Sequence, residues 1–319
     1  MTPSPDTSQP EQAADDAPGG TLAIVTHGLS KHFGQRKAVD DLTISIPSGT
    51  IAGFIGPNGA GKTTTIRLLL GLVRPSAGSA TILGQPLTHP ERYLPRVGAL
   101  IEAPAFYPSL SGRTNLEVLA HLGGHPRSRV SQVLEMVDLS GRAKDPAGKY
   151  SQGMKQRLGV AMALLPDPDL LILDEPANGL DPLGIIQMRD LLRHLREQGK
   201  TIFISSHLLG ELEQVTDWLV MLNQGRTLFS GPARDLLDSR SELVVEAKEA
   251  AQLDLVARIA REAGYTITRE ASSLRIVCPT SFAEELNQRA REAGATRIAI
   301  RAKEASLEER FLAMLKGDH

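Results

Sequence analysis

The sequence predicts an α/β domain with a largely parallel sheet, followed by a smaller α+β domain. Short apolar runs of strand length alternate with helical patterns up to about residue 236, and a glycine-rich loop joins one such run to a helix. Beyond that point two similar strand and helix units follow each other. We therefore place the two domains at 21–236 and 237–319, after a tail at 1–20.

Composition narrows the class of protein. The 319 residues carry a formal net charge of -2, so bulk charge does not indicate a nucleic-acid binder. Cys278 is the single cysteine, which excludes an intrachain disulfide. No run approaches the roughly 20 apolar residues of a membrane span. The proline-rich, acidic tail predicts disorder and lacks the features of a signal peptide, so we expect a cytosolic protein for which any membrane role would come through a partner.

The elements of the first domain follow from apolar patterning. The helix after the glycine-rich loop buries Ile66, Leu69, Leu70 and Val73 at helical spacing, and the stretch from about 109 to 165 is mostly helical. Asp181 and Pro182 suit the N-cap and first position of a further helix. Strands are predicted at Leu22–Thr26, Leu42–Ile46, Ile51–Ile55, Leu170–Leu173, Thr201–Ser205, Trp218–Leu222 and Arg226–Ser230, the last two as a hairpin.

The second domain predicts a ferredoxin-like βαββαβ module. The string Ala-Arg-Glu-Ala-Gly ends one helix at residue 264 and another at residue 294, which suggests a duplication; coincidence in an Ala/Glu/Arg-rich sequence is the alternative. The predicted strands are Glu242–Ala247, Tyr265–Arg269, Leu274–Val277 and Thr296–Arg301, and the predicted helices are Leu253–Ala263, Phe282–Ala293 and a closing Leu307–Leu315.

A phosphate-binding loop lies between the strand at 51–55 and its helix. The residues fit G-x-x-x-x-G-K-[ST], in which glycines let backbone N–H groups converge on phosphate oxygens. Lys62 is expected to reach the β- and γ-phosphates of ATP, and the Thr63 hydroxyl to hold Mg²⁺. The nucleotide-binding set is Gly56, Pro57, Asn58, Gly59, Ala60, Gly61, Lys62, Thr63 and Thr64.

Two carboxylates end the strand at 170–173. Beside a phosphate loop, Asp174 is expected to orient Mg²⁺, and Glu175 to polarise the attacking water as a general base. The simpler interpretation, an acidic pair that ends a strand and caps a helix, would be preferred without the phosphate loop.

A phosphate loop and an acidic strand end fit many nucleotide-hydrolysing proteins, and a third motif indicates which family this chain resembles. The stretch from Tyr150 to Arg157 reads Y-S-Q-G-M-K-Q-R and resembles the signature of ABC ATPases. Asn178 to Pro182 resembles the D-loop of that family, His207 its switch histidine, and Phe33 the aromatic residue that stacks on adenine. The resemblance covers about 22–232 with the motifs in the family order. It implies an ATPase fold with an antiparallel β subdomain and a helical subdomain.

The resemblance also implies how the motifs act. Ser151, Gln152 and Gly153 would open a helix whose N-terminus meets the γ-phosphate of ATP on a partner subunit, so that two copies close head to tail. His207 would hold the attacking water near the γ-phosphate. Asp181 would meet the facing subunit in addition to capping its helix. Phe33 has an ordinary core aromatic as its alternative.

One position departs from the family pattern. Glu102 stands where the family has a glutamine that contacts magnesium, and a carboxylate can take the same role. This variant resembles the ATPases of bacitracin and lantibiotic self-protection transporters. The following Phe106 to Leu110 resembles the loop that docks a permease helix, with a plain hydrophobic turn as the alternative.

The predicted function is ATP hydrolysis at the cytoplasmic face of the membrane, driving export of an antibiotic, peptide or drug-like substrate through a separate permease. A homodimer is the default, because both halves of a working site are present. The second hypothesis is a soluble ABC protein of translation or DNA repair. Translation factors of this type usually carry two ATPase domains and repair ATPases a long coiled coil, whereas this sequence has one phosphate loop and no visible coiled coil. A non-ABC phosphate-loop kinase ranks last, since it has no use for the signature helix or the histidine.

Overall fold

The computed structural model describes residues 21–206, 209–238, 242–247, 249–270, 272–279, 281–295, 297–303 and 306–317. The predicted tail at 1–20 and His207 lie outside this part of the chain. The elements up to the signature motif are β1 (Leu22–Phe33), β2 (Arg36–Pro47), β3 (Ile51–Ile55), α1 (Lys62–Leu69), β4 (Ala77–Ile82), β5 (Gln85–Pro86), α2 (Pro90–Tyr93), β6 (Val97–Leu100), α3 (Gly112–Leu122) and α4 (Arg127–Met136).

In the second half of the chain, strands and helices continue to alternate, and the last strands belong to a separate antiparallel sheet. The elements of this half are α5 (Gln152–Leu164), β7 (Leu170–Asp174), α6 (Pro182–Glu197), β8 (Thr201–Ser206), α7 (Leu209–Glu213), β9 (Trp218–Asn223), β10 (Arg226–Pro232), α8 (Ala233–Asp238), β11 (Glu242–Ala247), α9 (Ala250–Glu262), β12 (Thr266–Arg269), β13 (Ser273–Val277), α10 (Phe282–Glu292), β14 (Ile298–Lys303) and α11 (Leu307–Gly317).

A six-stranded sheet in the order β10-β9-β3-β8-β7-β6 carries the predicted motifs. All its neighbouring strands are parallel except β10, which forms the predicted hairpin with β9. The carboxyl ends of β3, β8 and β7 lie side by side, because Ile55 pairs with Ser206 and Asp174 pairs with Ser205. This register brings the phosphate loop and the acidic strand end to one edge of the sheet.

A four-stranded antiparallel sheet, β2-β1-β4-β5, covers one face of α1 and the parallel sheet. Strands β1 and β2 have 12 residues each, so the predicted strands at 22–26 and 42–46 were too short. The pairing of β1 with β2 contains several register shifts, which break the alternation of apolar and polar residues that strand prediction uses. Phe54 of β3 and Phe203 of β8 pack in this layer with ring centroids 4.8 Å apart.

The helical region packs on the other face of the parallel sheet, as the apolar patterning indicates. Leu158, Ala161 and Leu164 of α5, with Leu165 directly after it, are buried in this layer. Asp181 is the N-cap of α6, as predicted: its Oδ1 accepts a hydrogen bond from Gly184 N at 2.8 Å.

The C-terminal part contains an antiparallel sheet of its own, in the order β12-β13-β11-β14, packed against α9 and α10. The bounds of β11 match the prediction, and the other elements agree within a few residues. The last helix packs outside this C-terminal core. Leu307 and Phe311 of α11 are buried among core residues of the parallel-sheet region, and Leu307 N donates to Glu213 Oε2 of α7 at 3.1 Å.

Candidate nucleotide site

The phosphate loop has the predicted setting between β3 and α1. Gly61, the N-cap of α1, has a φ of 108°, a conformation that glycine adopts without strain. A Cβ at this position would lie 2.3 Å from the carbonyl oxygen of Ala38, so only glycine lets the loop approach β2. The first-turn amides of α1 therefore face the loop, where the positive end of the helix dipole favours an anion.

A cavity of about 470 Å³ opens beside this loop. Its walls come from three parts of the chain: the start of β2, the phosphate loop, and the segment after β7. The lining residues are Arg36, Ala38, Pro57, Asn58, Gly59, Gly61, Lys62, Thr63, Thr64, Glu175 and Asn178. Most of the predicted nucleotide-binding residues thus line one cavity. Gly56 and Ala60 lie outside the lining, and Ala60 is buried beneath the loop.

Lys62 is buried, and its ammonium group has partners on both sides. Nζ donates to the carbonyl oxygen of Gly56 at 2.7 Å and lies 3.7 Å from Oε1 of Glu175. These contacts balance a charge that would be costly to bury alone. They also hold the amine at the cavity wall, where it can meet an anionic ligand.

The oxygen atoms of Thr63 and Asp174 meet at the carboxyl edge of the sheet. The hydroxyl of Thr63 donates to Oδ2 of Asp174 at 3.0 Å, across 111 residues of chain. The other carboxylate oxygen, Oδ1, accepts a 2.5 Å hydrogen bond from the hydroxyl of Ser205. Asp174 and Ser205 are both buried, so the direction of the carboxylate is fixed. Hydroxyl and carboxylate oxygens are the donors that Mg²⁺ prefers, so this pair fits that ion.

Glu175 has an unusual backbone conformation for its type, with a φ of 52°. Its amide donates to both oxygens of Ser205, at 3.0 Å to Oγ and 3.2 Å to the carbonyl. Such left-handed residues cluster at functional sites, where neighbouring structure holds them. The conformation directs the Glu175 side chain into the cavity wall. Ser205, predicted from the sequence only as the end of a strand, thus binds the Asp174 carboxylate and the Glu175 backbone.

Phe33 is an exposed residue at the end of β1, which excludes the core aromatic as its explanation. It pairs with Arg36 across the turn at 34–35, and the Lys31 ammonium lies 5.1 Å from its ring centroid. Phe33 does not line the cavity, but its strand neighbour Arg36 does. The ring therefore stands beside the cavity with its surface open to solvent.

Glu102 is also outside the cavity lining. It follows β6 with a φ of 60°, and its carboxylate forms an ion pair with Arg67 of α1. Both side chains are exposed. The predicted metal ligands therefore divide into two groups: Thr63 and Asp174 are in contact, whereas Glu102 is paired with an arginine.

The signature residues open α5 as predicted. Ser151 is its N-cap and accepts a hydrogen bond from Met154 N at 3.2 Å, and Gln152 and Gly153 form the first turn. Ser151 and Gln152 are exposed, so this helix N-terminus faces solvent. None of the three residues lines the cavity beside the phosphate loop. An exposed helix N-terminus without its own phosphate site is consistent with action on another molecule.

Sequence reasoning missed three residues of the cavity wall. Arg36, Ala38 and Asn178 line it; the first two carry no motif, and Asn178 was identified as part of the D-loop but not of the nucleotide-binding set. Their only signal is proximity in sequence: Arg36 and Ala38 follow Phe33, and Asn178 follows the acidic pair and begins the D-loop.

Comparison with known proteins identifies the family of this chain. The family model described as ABC transporter matches residues 39–178. The bacitracin transport ATP-binding protein BcrA of Bacillus licheniformis is 40% identical over 301 residues, covering 92% of this chain and 97% of that protein. The lantibiotic transport ATP-binding protein SrtF of Streptococcus pyogenes is 40% identical over 200 residues, which is 63% of this chain and 86% of that protein.

A solved structure of the ATP binding subunit of an ABC transporter has the same architecture. It superposes with a TM-score of 0.61 at 31% identity, and the match covers 68% of this chain and 92% of that chain. No helix in the described ranges combines the length and apolar content that crossing a membrane requires.

Proposed function

This chain belongs to the ABC transporter ATP-binding proteins, and we propose on that basis that it powers export through a separate membrane permease. The ABC ATPase domain hydrolyses ATP in a cycle coupled to transport. The observation that carries the proposal is the cavity at which Lys62, Thr63 and Glu175 converge, in a chain similar over 92% of its length to a bacitracin transport protein. The proposed substrate is a peptide antibiotic or a comparable amphipathic molecule.

ATP is the proposed ligand of the cavity, with its phosphates on the loop and its adenine on Phe33. Lys62 supplies the cation and the α1 amides supply hydrogen-bond donors. Thr63 and Asp174 would hold Mg²⁺, which when bound neutralises phosphate charge. Glu102 would join them only if its carboxylate leaves Arg67.

Glu175 is the proposed general base. Its carboxylate stands at the cavity wall and its backbone is held by Ser205. The residue would take a proton from the attacking water as the water oxygen bonds to the γ-phosphorus and the bond from that phosphorus to the departing ADP breaks. The proposed role of His207, to hold that water, rests on the motif order alone, because the residue lies outside the described part of the chain.

Two copies of the chain would form the working unit. The exposed N-terminus of α5, with Ser151, Gln152 and Gly153, has the donors and the dipole to meet the γ-phosphate on a facing subunit. Asp181 is exposed at the start of α6 and would contact that subunit nearby. Closure of the pair on ATP and its release after hydrolysis supply a two-state cycle.

The loop before α3 is the proposed docking site for the permease. Asn115 is buried, and its amide exchanges hydrogen bonds with the backbone of Tyr107, at 2.7 Å from Tyr107 N and 3.0 Å to Tyr107 O. The loop is therefore held from beneath while the Tyr107 ring is 63% exposed. A fixed loop that presents an aromatic ring suits contact with a partner helix. We place the protein at the cytoplasmic face of the membrane accordingly.

The C-terminal part is proposed as a ferredoxin-like module after an ATPase domain that ends near residue 236. The element order from β11 to β14 is β-α-β-β-α-β, and the sheet is antiparallel with β11 and β13 at its centre. Both helices end at a glycine with positive φ, Gly264 and Gly294, within the repeated string. These observations favour a duplicated module over coincidence.

The test is magnesium-dependent ATP hydrolysis by the purified full chain, reconstituted with its permease in lipid vesicles. We expect hydrolysis that requires Mg²⁺, disappears in Lys62→Ala, and is accompanied by movement of a peptide antibiotic across the bilayer. Absence of magnesium-dependent hydrolysis in the reconstituted complex would refute the proposal. Hydrolysis without peptide movement would refute the substrate class only.

A further inference from the structure

Arg36 is a cation of the nucleotide cavity to which no motif assigns a role. It begins β2 directly after the turn at 34–35, and its exposed side chain forms part of the cavity wall. A terminal guanidinium nitrogen lies 3.8 Å from the point where a Cβ on Gly59 would stand. The guanidinium therefore lies beside the phosphate loop.

The neighbouring cations are already engaged. Lys37 Nζ lies 3.2 Å from Oδ1 of Asp40, and Arg226 donates to Oδ2 of Asp40 from two nitrogens at 2.9 and 3.0 Å. The hydrogen bond from Arg226, followed by that from Lys37, holds the pKa of the Asp40 carboxyl below its ordinary value. Asp40 thus binds both Lys37, the next residue along the chain, and Arg226 of β10.

Arg36 itself makes no side-chain hydrogen bond or ion pair with the part of the chain that the structure describes. The other cation of the cavity lining, Lys62, has Glu175 as its counter-charge 3.7 Å away. Among the described residues of the lining, the charge of Arg36 is therefore the uncompensated positive charge. A nucleoside triphosphate is a polyanion, and the guanidinium fork matches the geometry of phosphate oxygens.

We propose that Arg36 is a phosphate-binding residue of the nucleotide site and holds the phosphate tail of ATP from the β1–β2 wall of the cavity. This inference rests on the proposed function, because it takes ATP as the ligand of the cavity. Arg36 is then the second phosphate-binding cation of the site, besides Lys62. The turn after Phe33 thereby contributes to phosphate binding as well as to adenine contact.

The experiment measures dissociation constants of the full chain for MgATP, MgADP and AMP by titration calorimetry. The variants are Arg36→Gln, Arg36→Lys and Lys62→Ala, with Lys37→Gln as the matched control because its cation pairs with Asp40 outside the cavity. We expect Arg36→Gln to weaken MgATP binding about tenfold, the order for one charge-assisted contact at an exposed site. The loss should be smaller for MgADP and absent for AMP.

Arg36→Lys tests whether the positive charge is what matters, and Lys37→Gln tests whether any substitution in this hairpin has the same effect. Arg36→Lys should recover part of the affinity, and Lys37→Gln should bind all three nucleotides as the unsubstituted protein does. Equal affinities in Arg36→Gln and Lys37→Gln would overturn the inference, as would an equal loss for ATP, ADP and AMP, which would indicate an effect on the base or on the hairpin. If the unsubstituted protein binds no MgATP, the proposed function fails together with the inference.

Discussion

The hydroxyl of Thr63 and the carboxylate of Asp174 share a 3.0 Å hydrogen bond, although 111 residues separate them. Thr63 belongs to the first turn of α1 and Asp174 ends β7, two strands away from β3 in the sheet. The bond joins the phosphate loop to the acidic strand end at the place where ATP and Mg²⁺ would meet.

Replacement of Asp174 by asparagine should abolish the stimulation of ATP hydrolysis by Mg²⁺. The variant keeps the shape of the side chain but loses the charge that suits the ion, so we expect ATPase activity to fall at least about a hundredfold. ATP binding without magnesium should persist, since Lys62 and the loop are unchanged. The control is Asp169→Asn directly before the same strand, which removes only an exposed pair with Arg96. Equal magnesium titrations of the two variants would contradict the assignment.

Ser205 should act as a positioning residue. Its hydroxyl donates to Asp174 and accepts from the Glu175 amide, so Ser205→Ala leaves both carboxylates less well oriented. We expect kcat to fall and the Mg²⁺ requirement to rise by about tenfold, the usual order for a residue behind a metal ligand. Thr201→Val on the same strand removes a comparable buried hydroxyl that serves Gly49. It should lower thermal stability without changing the magnesium titration, and a change in both variants would indicate a structural role only.

Ser151 and Ser111 offer a matched pair of helix caps. Each accepts a hydrogen bond from the amide three residues later, Ser151 at the start of α5 and Ser111 at the start of α3. Alanine at either position should cost about 1 kcal/mol of stability. ATPase activity of the isolated protein should fall only in Ser151→Ala, and more severely in Ser151→Arg, because only α5 would meet the partner's nucleotide. An equal loss of activity in Ser111→Ala would contradict the proposed role of the signature helix.

The closing helix α11 should stabilise the parallel-sheet region. Phe311 is buried against that core, whereas Leu312 on the same helix is 49% exposed. We expect Phe311→Ala to lower the free energy of unfolding by about 3 kcal/mol. Leu312→Ala should cost less than about 1 kcal/mol. Urea denaturation of the two variants measures the difference, and similar midpoints would show that α11 is not part of this core in solution.

The chemistry that lies in one short segment could be predicted from the sequence. The phosphate loop places its glycines, Lys62 and Thr63 within eight residues, and the order of strand, loop and helix is local. Asp174 and Glu175 follow an apolar run whose end is visible in the sequence. The bounds of β11 and the cap of α6 were likewise predicted, because alternation and capping are local signals.

The remainder depends on contacts between distant segments. The hydrogen bonds of Ser205 to the Asp174 carboxylate and to the Glu175 amide follow from the pairing of β7 with β8, which no local pattern encodes. Arg36 lines the cavity because Gly61 allows the loop to approach β2, and Glu102 pairs with an arginine on a different element. The return of α11 to the first core was also not predicted, since the amphipathic pattern of a helix does not say which surface it covers.

The most direct measurement is capture of the partner by a hydrolysis-deficient variant. Glu175→Gln should retain ATP binding but lose the proton acceptor, which lowers hydrolysis by about a hundredfold or more. Tagged protein would be purified from native membranes in mild detergent with ATP and magnesium, beside the unsubstituted chain as the control. The account predicts that a membrane protein of several helices is recovered in stoichiometric amount with the variant. Recovery of ribosomes or DNA, or of no membrane protein at all, would contradict it.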